Sequence, residues 1–307
     1  MDSAFGSPDG DTTFDAAADA DAGPPPDPPG VFVAVGDGGR RIRSLDDGAT
    51  WVDDVSIDNG GDDMTGLRTV TWGNGLFVAG AWRIMTSPDG KTWKDTPPSA
   101  FNDNWMGALG YGAGLFVGVG GYGSRVTSPD AVTWKQHSID TAASHSHGGL
   151  AYAAGKGFVS VNDDGKISTS PDGVTWTYGT ATVGTSSTNV AYGNGVFVAI
   201  GGTKVATSAD GKTWNSAAFA EQDALLVFGQ GHFTAIGREH VYTSNDGAAW
   251  SDHPVKGLFA YAVAFGHGTY VSFNVTAVRR STDGLVWSAA VDVGGTNSLD
   301  WLAFGPS

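Results

Sequence analysis

The chain has 307 residues, 47 of them glycine, and a formal net charge of −15 at pH 7. A protein this acidic repels nucleic acid and anionic lipid surfaces, so neither is an expected partner. The sequence contains no cysteine, which excludes disulfides and thiol catalysis. No apolar run approaches the ~18 residues that a membrane-spanning helix needs, so we expect no membrane insertion.

The first 30 residues are predicted to form a separate, disordered tether. The segment from Asp2 to Pro29 holds seven aspartates, no basic residue and a proline-rich run from Gly23 onward. Such a composition cannot bury enough apolar area to fold. An acidic, proline-ending segment ahead of a folded domain resembles the spacer of bacterial surface lipoproteins. That resemblance implies a tethered domain, residues 31–307, at the cell surface, outside the cell or in the periplasm.

One motif returns seven times between residues 31 and 307. Each copy reads Ser-x-Asp-Gly, or a close variant, and leads to a tryptophan. The Ser and Asp side chains can satisfy backbone groups of such a turn, and the glycine can adopt a positive φ. Self-similarity at a fixed period indicates a repeat architecture. The copies begin at Ser44, Ser87, Ser128, Ser170, Ser208, Ser244 and Ser281.

The residues between the motifs predict further strands in each unit. A short apolar strand ends in an aromatic residue that glycine usually follows, as in Trp72-Gly73, and a hairpin turn such as Asn74-Gly75 comes next. The second strand carries an aromatic residue in every copy. A variable loop and a third strand then lead into the motif, whose tryptophan enters the fourth strand. Four antiparallel strands repeated at about forty residues predict one blade of a β-propeller.

The two ends of the folded part predict how the ring closes. Val31 to Gly36 is a second strand with no first strand before it, whereas Trp301 to Gly305 is a first strand with nothing after it. We therefore expect the C-terminal strand to complete blade one, which leaves no open sheet edge. The predicted fold is all-β, a seven-bladed β-propeller of four-stranded antiparallel blades.

The motif Ser-x-Asp-(x)-Gly-x-Thr-Trp resembles the Asp-box, or BNR repeat, of sialidase-like propellers over about residues 31–307. The intervening Gly-Asn-Gly-Leu-Phe-Val-Ala pattern resembles a large group of bacterial exported repeat proteins. The resemblance implies that the boxes lie between the third and fourth strands, on the face opposite the ligand site. Residues such as Ser87, Asp89 and Trp93 are therefore expected to be structural.

Aromatic residues that the repeat does not require are candidates for ligand binding. Trp82 lies in a loop of blade two, Trp105 in the approach to blade three, and Trp301 at the start of the inner strand of blade one, with Tyr122 in a loop of blade three. All four are predicted on the face opposite the boxes, where an exposed aromatic cluster marks a binding surface. The alternative is that each ring fills its own loop or caps the channel.

Basic residues form a second candidate feature, a collar on the same face. Each precedes the apolar start of a third strand, Arg125 being one residue out of register, and blade seven has Ala277 instead. The collar could present donors to an anionic or polyhydroxyl ligand. The alternative is that its members pair with aspartates of nearby loops, such as Asp37, Asp163 and Asp164. The collar comprises Arg41, Arg83, Arg125, Lys166, Lys204 and His240.

Metal sites receive little support, and no cofactor is predicted. His145 and His147 form a His-x-His pair at the entry to blade four, but a structural zinc site needs four ligands and no third is apparent nearby. The stretch from Asn162 to Gly165 could ligate calcium, but without the rest of a calcium-loop pattern an ordinary turn is the simpler interpretation.

The sequence favours a non-catalytic recognition domain that binds a protein or glycan, acting as a monomer. A sialidase-like or other glycoside hydrolase is the first alternative. Its arginine motif is echoed only by Trp82-Arg83-Ile84-Met85, and a Tyr–Glu pair could use only Glu221 or Glu239. Paired aspartates could serve instead, although none stands in a recognisable motif. An assembly scaffold without a small-molecule ligand is the second alternative.

Overall fold

The computed structural model describes residues 30–57, 66–96, 105–137, 147–185 and 188–306. These residues form seven four-stranded sheets in which neighbouring strands are antiparallel, with two short 3₁₀ turns, Asp37–Gly39 and Gly121–Gly123. No helix in the described ranges is long and apolar enough to cross a membrane. The tether predicted for residues 1–30 lies outside the description except for Gly30, which begins β1, and it stays a prediction.

The strands follow the predicted order within every blade. Blade one consists of β28 (Leu299–Pro306), β1 (Gly30–Gly36), β2 (Arg41–Ser44) and β3 (Val52–Val55). Blade two has β4 (Leu67–Gly73), β5 (Leu76–Ala81), β6 (Ile84–Ser87) and β7 (Lys94–Thr96), and blade three has β8 (Met106–Gly112), β9 (Leu115–Gly120), β10 (Arg125–Ser128) and β11 (Lys135–Gln136). Blade four has β12 (His147–Ala153), β13 (Gly157–Asn162), β14 (Lys166–Ser170) and β15 (Thr177–Thr182).

Blades five to seven repeat this arrangement. Blade five has β16 (Asn189–Gly193), β17 (Val196–Gly201), β18 (Lys204–Ser208) and β19 (Asn215–Ala218). Blade six has β20 (Leu225–Gly229), β21 (His232–Ile236), β22 (His240–Ser244) and β23 (Ser251–Pro254), and blade seven has β24 (Ala262–Gly266), β25 (Thr269–Asn274), β26 (Ala277–Ser281) and β27 (Val291–Asp292).

Ring closure by the C-terminal strand is confirmed. Strand β28 pairs antiparallel with β1, from Gly30 opposite Pro306 to Val35 opposite Trp301. The first strands of successive blades contact one another around the whole ring, β28 lying between β24 and β4. The first strands therefore surround the axis, and the third and fourth strands lie progressively farther out.

The aromatic–glycine ending of the first strands is explained by packing between blades. The Tyr111 ring of blade three lies against Gly73 of blade two, where a Cβ atom would be 2.2 Å from the ring, and Trp72 lies in the same way against Gly305 of blade one. Any larger residue would collide with the neighbouring ring. The arrangement recurs where Tyr152 meets Gly112, Phe228 meets Gly193, Phe265 meets Gly229 and Phe304 meets Gly266.

The repeated turn is a self-contained network of hydrogen bonds. In blade two, the Asp89 carboxylate accepts hydrogen bonds from the backbone N–H groups of Lys91 and Thr92, at 2.8 and 2.7 Å. Ser87 Oγ accepts one from Gly90 N at 2.8 Å, and the Trp93 indole donates to Gly90 O at 2.9 Å. The same bonds to Asp and from Trp recur, with small variations, in the other six copies.

Antiparallel order places these turns at one end of every blade, which we call the box face. The hairpin turns between first and second strands lie at the same end. The entries to the first strands and the loops between second and third strands lie at the opposite end, which we call the loop face. The face predicted to bind a ligand is thus the loop face.

Candidate functional site

The predicted aromatic residues do not form one cluster in the described part of the chain. Trp301 packs between blades one and two, against the buried cluster that contains Val35 and Leu67. Trp105 lies over Gly121, where a Cβ atom would be 2.8 Å from the indole nitrogen. No ring contact joins Trp301 or Trp105 to Trp82 within the described ranges, and the Tyr122 side chain is outside the description. Ligand binding by these rings stays a prediction.

The basic collar divides into two registers, and the expected register of Arg41 is wrong. Arg41 and Arg125 lie three residues before the serine of their box, whereas Arg83, Lys166, Lys204 and His240 lie four before it. In blade one, the residue four positions before the serine is Arg40. Because side chains alternate along a strand, the two registers point to opposite sides of a sheet.

Arg41 and Arg125 are therefore not surface members of a collar. They replace the apolar residue that fills their position in other blades, such as Ile84, and are only 8% and 3% exposed. The Arg125 guanidinium lies over the Trp176 ring of blade four, 4.7 Å from its centroid, and donates to Ser168 Oγ at 3.4 Å.

Three of the other four basic residues pair with carboxylates. Arg83 pairs with Asp95, and His240 Nδ1 lies 2.7 Å from Asp252 Oδ1. Both aspartates belong to the fourth strand rather than to the predicted loops. Lys166 pairs at 3.8 Å with Asp164, one of the loop aspartates that the alternative named. Lys204 is exposed and has no ion pair with the described residues. Lys166, Lys204 and His240 begin the third strands of their blades, and Arg83 directly precedes one, so all four lie outside the inner ring of first strands.

Blade six concentrates titratable groups around His240. The hydrogen bond to Asp252 raises the pKa of His240, and the charges of Glu221 and Glu239 raise it further. His240 also stacks on Tyr242 with ring centroids 5.9 Å apart. Burial raises the pKa of Tyr242, which is the opposite of what a tyrosine nucleophile needs. A sialidase-type Tyr–Glu pair therefore receives no support here.

The described residues add no ligands to the two candidate metal sites. His145 lies outside them, as does the side chain of His147. In the part of the chain that the structure describes, no three His, Cys, Asp or Glu residues are grouped to hold a metal ion. The possible calcium loop is a turn in which Asn162 Oδ1 accepts a hydrogen bond from Lys166 N at 2.7 Å.

A pocket on the loop face between blades six and seven was not predicted. It has a volume of about 370 Å³ and combines apolar walls with polar groups of both charges. Phe259 and Tyr261 are 38% and 47% exposed, and their rings meet edge to face at 5.0 Å. The Arg238 guanidinium lies 6.0 Å from the Phe259 centroid. The lining consists of Asp223, Leu225, Ile236, Gly237, Arg238, Phe259, Ala260 and Tyr261.

The segment that presents these rings is anchored on both sides. Leu258 and Ala262 are buried, so Phe259 and Tyr261, which alternate with them, face outward. Tyr261 N donates to Phe273 O at 2.7 Å, which fixes the segment to blade seven. The stretch from Leu258 to Ala262 is aliphatic or aromatic throughout, so the sequence does not distinguish the outward-facing rings from the buried residues beside them.

A larger groove of about 480 Å³ lies on the box face, also between blades six and seven. Its carboxylates, Asp246 and Asp283, already accept hydrogen bonds from the backbone of their own turns. Because these acceptors are already engaged, the groove is a product of the repeat rather than a candidate ligand site.

A carboxyl pair at the start of the inner strand of blade one is the third unpredicted feature. Ser298 Oγ lies 2.7 Å from both Asp37 Oδ2 and Asp300 Oδ2. One hydroxyl proton cannot serve two carboxylates, so the second contact requires a proton on a carboxyl group. Burial raises the pKa of Asp300 and the Asp37 charge adds to this shift, although the hydrogen bond with Ser298 and the Arg68 charge oppose it. Asp300 can therefore hold this proton.

Comparison with known proteins supports the fold. No protein-family model and no curated protein sequence matches this chain. A streptogramin B lyase structure matches with a TM-score of 0.67 and 8% identity, over 77% of this chain and 86% of that one. The structure of YCF48 bound to D1 peptide matches with a TM-score of 0.58 and 15% identity, over 80% of this chain and 89% of that one. Apo AztD from Citrobacter koseri matches with a TM-score of 0.60 and 10% identity, over 91% of this chain and 98% of that one.

These similarities define the class of the protein. The chain is a seven-bladed β-propeller, as the sequence predicted. At such low identities the matches show the fold alone. The resemblance to Asp-box, sialidase-like propellers rests on the motif and on its turn geometry, without a matching family model behind it.

Proposed function

We propose that this chain is a non-catalytic recognition propeller that binds a protein or glycan ligand on its loop face. The observation that carries this proposal is the pocket between blades six and seven. It places two exposed aromatic rings, an arginine and an aspartate on one concave surface. Such sites combine apolar contact area with a few polar groups that orient the ligand.

The form of the pocket supports binding rather than catalysis. Its exposed rings are held by a backbone that is already bonded to blade seven, so little ordering is needed when a ligand binds. Arg238 can donate to a carboxylate or hydroxyl group, and Asp223 can accept from a donor. The YCF48 structure with D1 peptide gives an example of a propeller that holds a peptide. An extracellular or surface location, tethered by residues 1–30, is part of the same proposal.

The test is a double substitution, Phe259→Ala with Tyr261→Ala, screened against glycan and peptide arrays. We expect at least a tenfold loss of affinity for whichever ligand the wild-type protein captures, with an unchanged melting temperature because both rings are exposed. The matched control is Val132→Ala with Val286→Ala, which removes exposed apolar groups (60% and 75% exposed) near the boxes. Equal ligand capture by both double variants would overturn the proposal.

A second candidate function follows from the carboxyl pair of Asp37 and Asp300. A carboxyl group with a raised pKa beside a second carboxylate is the arrangement that glycoside hydrolases use for acid catalysis. Hydrolysis of a member of a glycan panel would favour this function if Asp300→Asn abolished it and the double variant of Phe259 and Tyr261 retained it. If the wild-type protein hydrolysed no glycan of the panel, the hydrolase function would be rejected and the recognition proposal would stand.

A further inference from the structure

Two arginines face each other across the junction of blades one and two on the loop face. In blade one, Val35 pairs with Arg41 on one side and with Trp301 on the other, so the three side chains point to the same side of the sheet. That side faces blade two, where Arg41 Nη1 reaches Met85 Sδ at 3.6 Å. Arg83 lies two residues before Met85, and its positive charge acts directly on Arg41.

Arg41 is a buried cation that contacts no carboxylate among the described residues. Its Nη1 group donates to Gly39 O at 2.7 Å and to the Met85 thioether, which is a weak acceptor. Its Nε group is buried and has no hydrogen-bond partner, and the same is true of Arg83 Nε. Buried donors are almost always paired, and an unpaired charge is costly, so the described part of this junction lacks an acceptor.

The local charges define what the missing acceptor is. Arg83 and Asp95 are the described charged groups that act on Arg41. Two guanidinium groups and one carboxylate leave a net charge of +1, which a single monoanion neutralises. The fork geometry of a guanidinium matches the two oxygens of a carboxylate. A phosphate dianion would leave an excess negative charge.

We propose that the junction of blades one and two binds a carboxylate between Arg41 and Arg83. The site is separate from the pocket between blades six and seven and does not depend on it. The carboxylate comes either from a small molecule or from an acidic side chain of a bound polypeptide. Both sources share the same chemistry at the two guanidinium groups.

The experiment follows the Nε–H resonances of arginines in ¹⁵N-labelled protein during titration with sodium acetate, against sodium chloride at equal ionic strength. We expect saturable shifts of the Arg41 and Arg83 signals with acetate only. Arg83→Gln should weaken acetate binding at least tenfold, and Arg83→Lys should weaken it less because the charge remains. The control is Arg279→Gln, which removes an arginine of blade seven that donates to Ser288 O and should leave the titration unchanged.

A capped tripeptide with one aspartate separates the two sources. Tighter binding of the peptide than of acetate assigns the carboxylate to a polypeptide, and equal or weaker binding assigns it to a small molecule. Unsaturable shifts, equal shifts with chloride, or tighter binding of inorganic phosphate would overturn the proposal.

The chain's own aspartates are the remaining competitor. Asp62 and Asp63 precede blade two in the sequence and lie outside the described residues. If one of them supplied the carboxylate, wild-type protein would not respond to acetate and the variant Asp62→Asn with Asp63→Asn would. That pattern would also overturn the proposal. None of these titrations involves Phe259 or Tyr261, so the outcome is independent of the proposed recognition function.

Discussion

The box face and the loop face are two ends of the same seven blades, and they differ in how their polar groups are satisfied. On the box face, Asp89 and its equivalents accept hydrogen bonds from backbone N–H groups of their own turn. On the loop face, the Nε groups of Arg41 and Arg83 are buried donors with no partner among the described residues, and Asp37 shares one serine hydroxyl with Asp300. A polar group that repeats with the fold serves the fold, whereas one that breaks the repeat and lacks partners is a candidate for function.

The largest expected effect is the loss of the fold in acid, which tests the structural role of the box face. Backbone hydrogen bonds lower the pKa of Asp89, Asp130 and Asp210 to about 2, although burial of Asp89 opposes its shift. The same bonds lower the pKa of the other four box aspartates. Because the folded pKa lies below the unfolded value near 3.8, the stabilisation is present above pH 4 and is lost as the pH falls toward 2.

Urea unfolding followed at pH 7, 4, 3 and 2 measures this loss. We expect the free energy of unfolding to fall steeply below pH 4, and Asp89→Asn to reduce the slope of that fall. A free energy that is flat between pH 4 and pH 2 would contradict the assignment of the boxes as the acid-sensitive elements.

The next largest effect is expected at the closing seam of the ring, where Arg40 bonds to the segment that leads into β28. Arg40 is 1% exposed and forms two hydrogen bonds with Asp54. It also donates to the carbonyl oxygens of Gly294 and Asn297, both at 2.7 Å, in the segment that leads into β28. Arg40 thus joins the N-terminal strands of blade one to the strand that completes it.

Arg40→Met should cost about 3–5 kcal/mol, because it leaves a carboxylate and two carbonyl groups without their donor. The free energy of unfolding in urea measures the cost. Lys166→Met is the control, since its pair with Asp164 is long and partly exposed and should contribute about 0–1 kcal/mol. A similar cost for the two variants would show that the seam does not depend on Arg40.

The sequence was sufficient for the fold because a seven-fold repeat marks the same positions seven times. Ring closure also followed, since a missing first strand at one end and a surplus one at the other admit a simple solution. The register of Arg41 could not be predicted in the same way. A shift of one residue along a third strand moves a side chain to the other side of the sheet, and only the pairing of Phe32 with Ser44 fixes that register.

The functional candidates were harder to predict because they depend on contacts that the repeat does not encode. Phe259 and Tyr261 are residue types that the repeat uses elsewhere, so counting could not separate them from structural rings. The bond between Ser298 and Asp37 joins residues 261 positions apart, and no local pattern announces it. The orphaned donors of Arg41 and Arg83 emerge only when both blades are in place.

The smallest expected effect concerns Asp300, whose response to pH should be opposite to that of the box aspartates. Its folded pKa is raised, chiefly by burial, so the folded state favours its protonated form. Protonated Asp300 therefore stabilises the folded wild-type protein in full below the unfolded pKa, and this stabilisation is lost as the pH rises through the folded pKa. Asp300→Asn cannot ionise, and its amide can still donate to Ser298, so we expect a gain of about 0.5–1.5 kcal/mol at pH 7 and none at pH 3.

Asp292→Asn is the matched control, because a backbone hydrogen bond from Gly294 lowers the pKa of Asp292. It should lose stability at pH 7 and approach the wild-type value at pH 3, the reverse of Asp300→Asn. Urea unfolding at both pH values compares the two variants directly. If Asp300→Asn behaved like Asp292→Asn, Asp300 would be an ordinary hydrogen-bonded aspartate of the fold. The distinction between the two faces would then not apply to the carboxyl pair of Asp37 and Asp300.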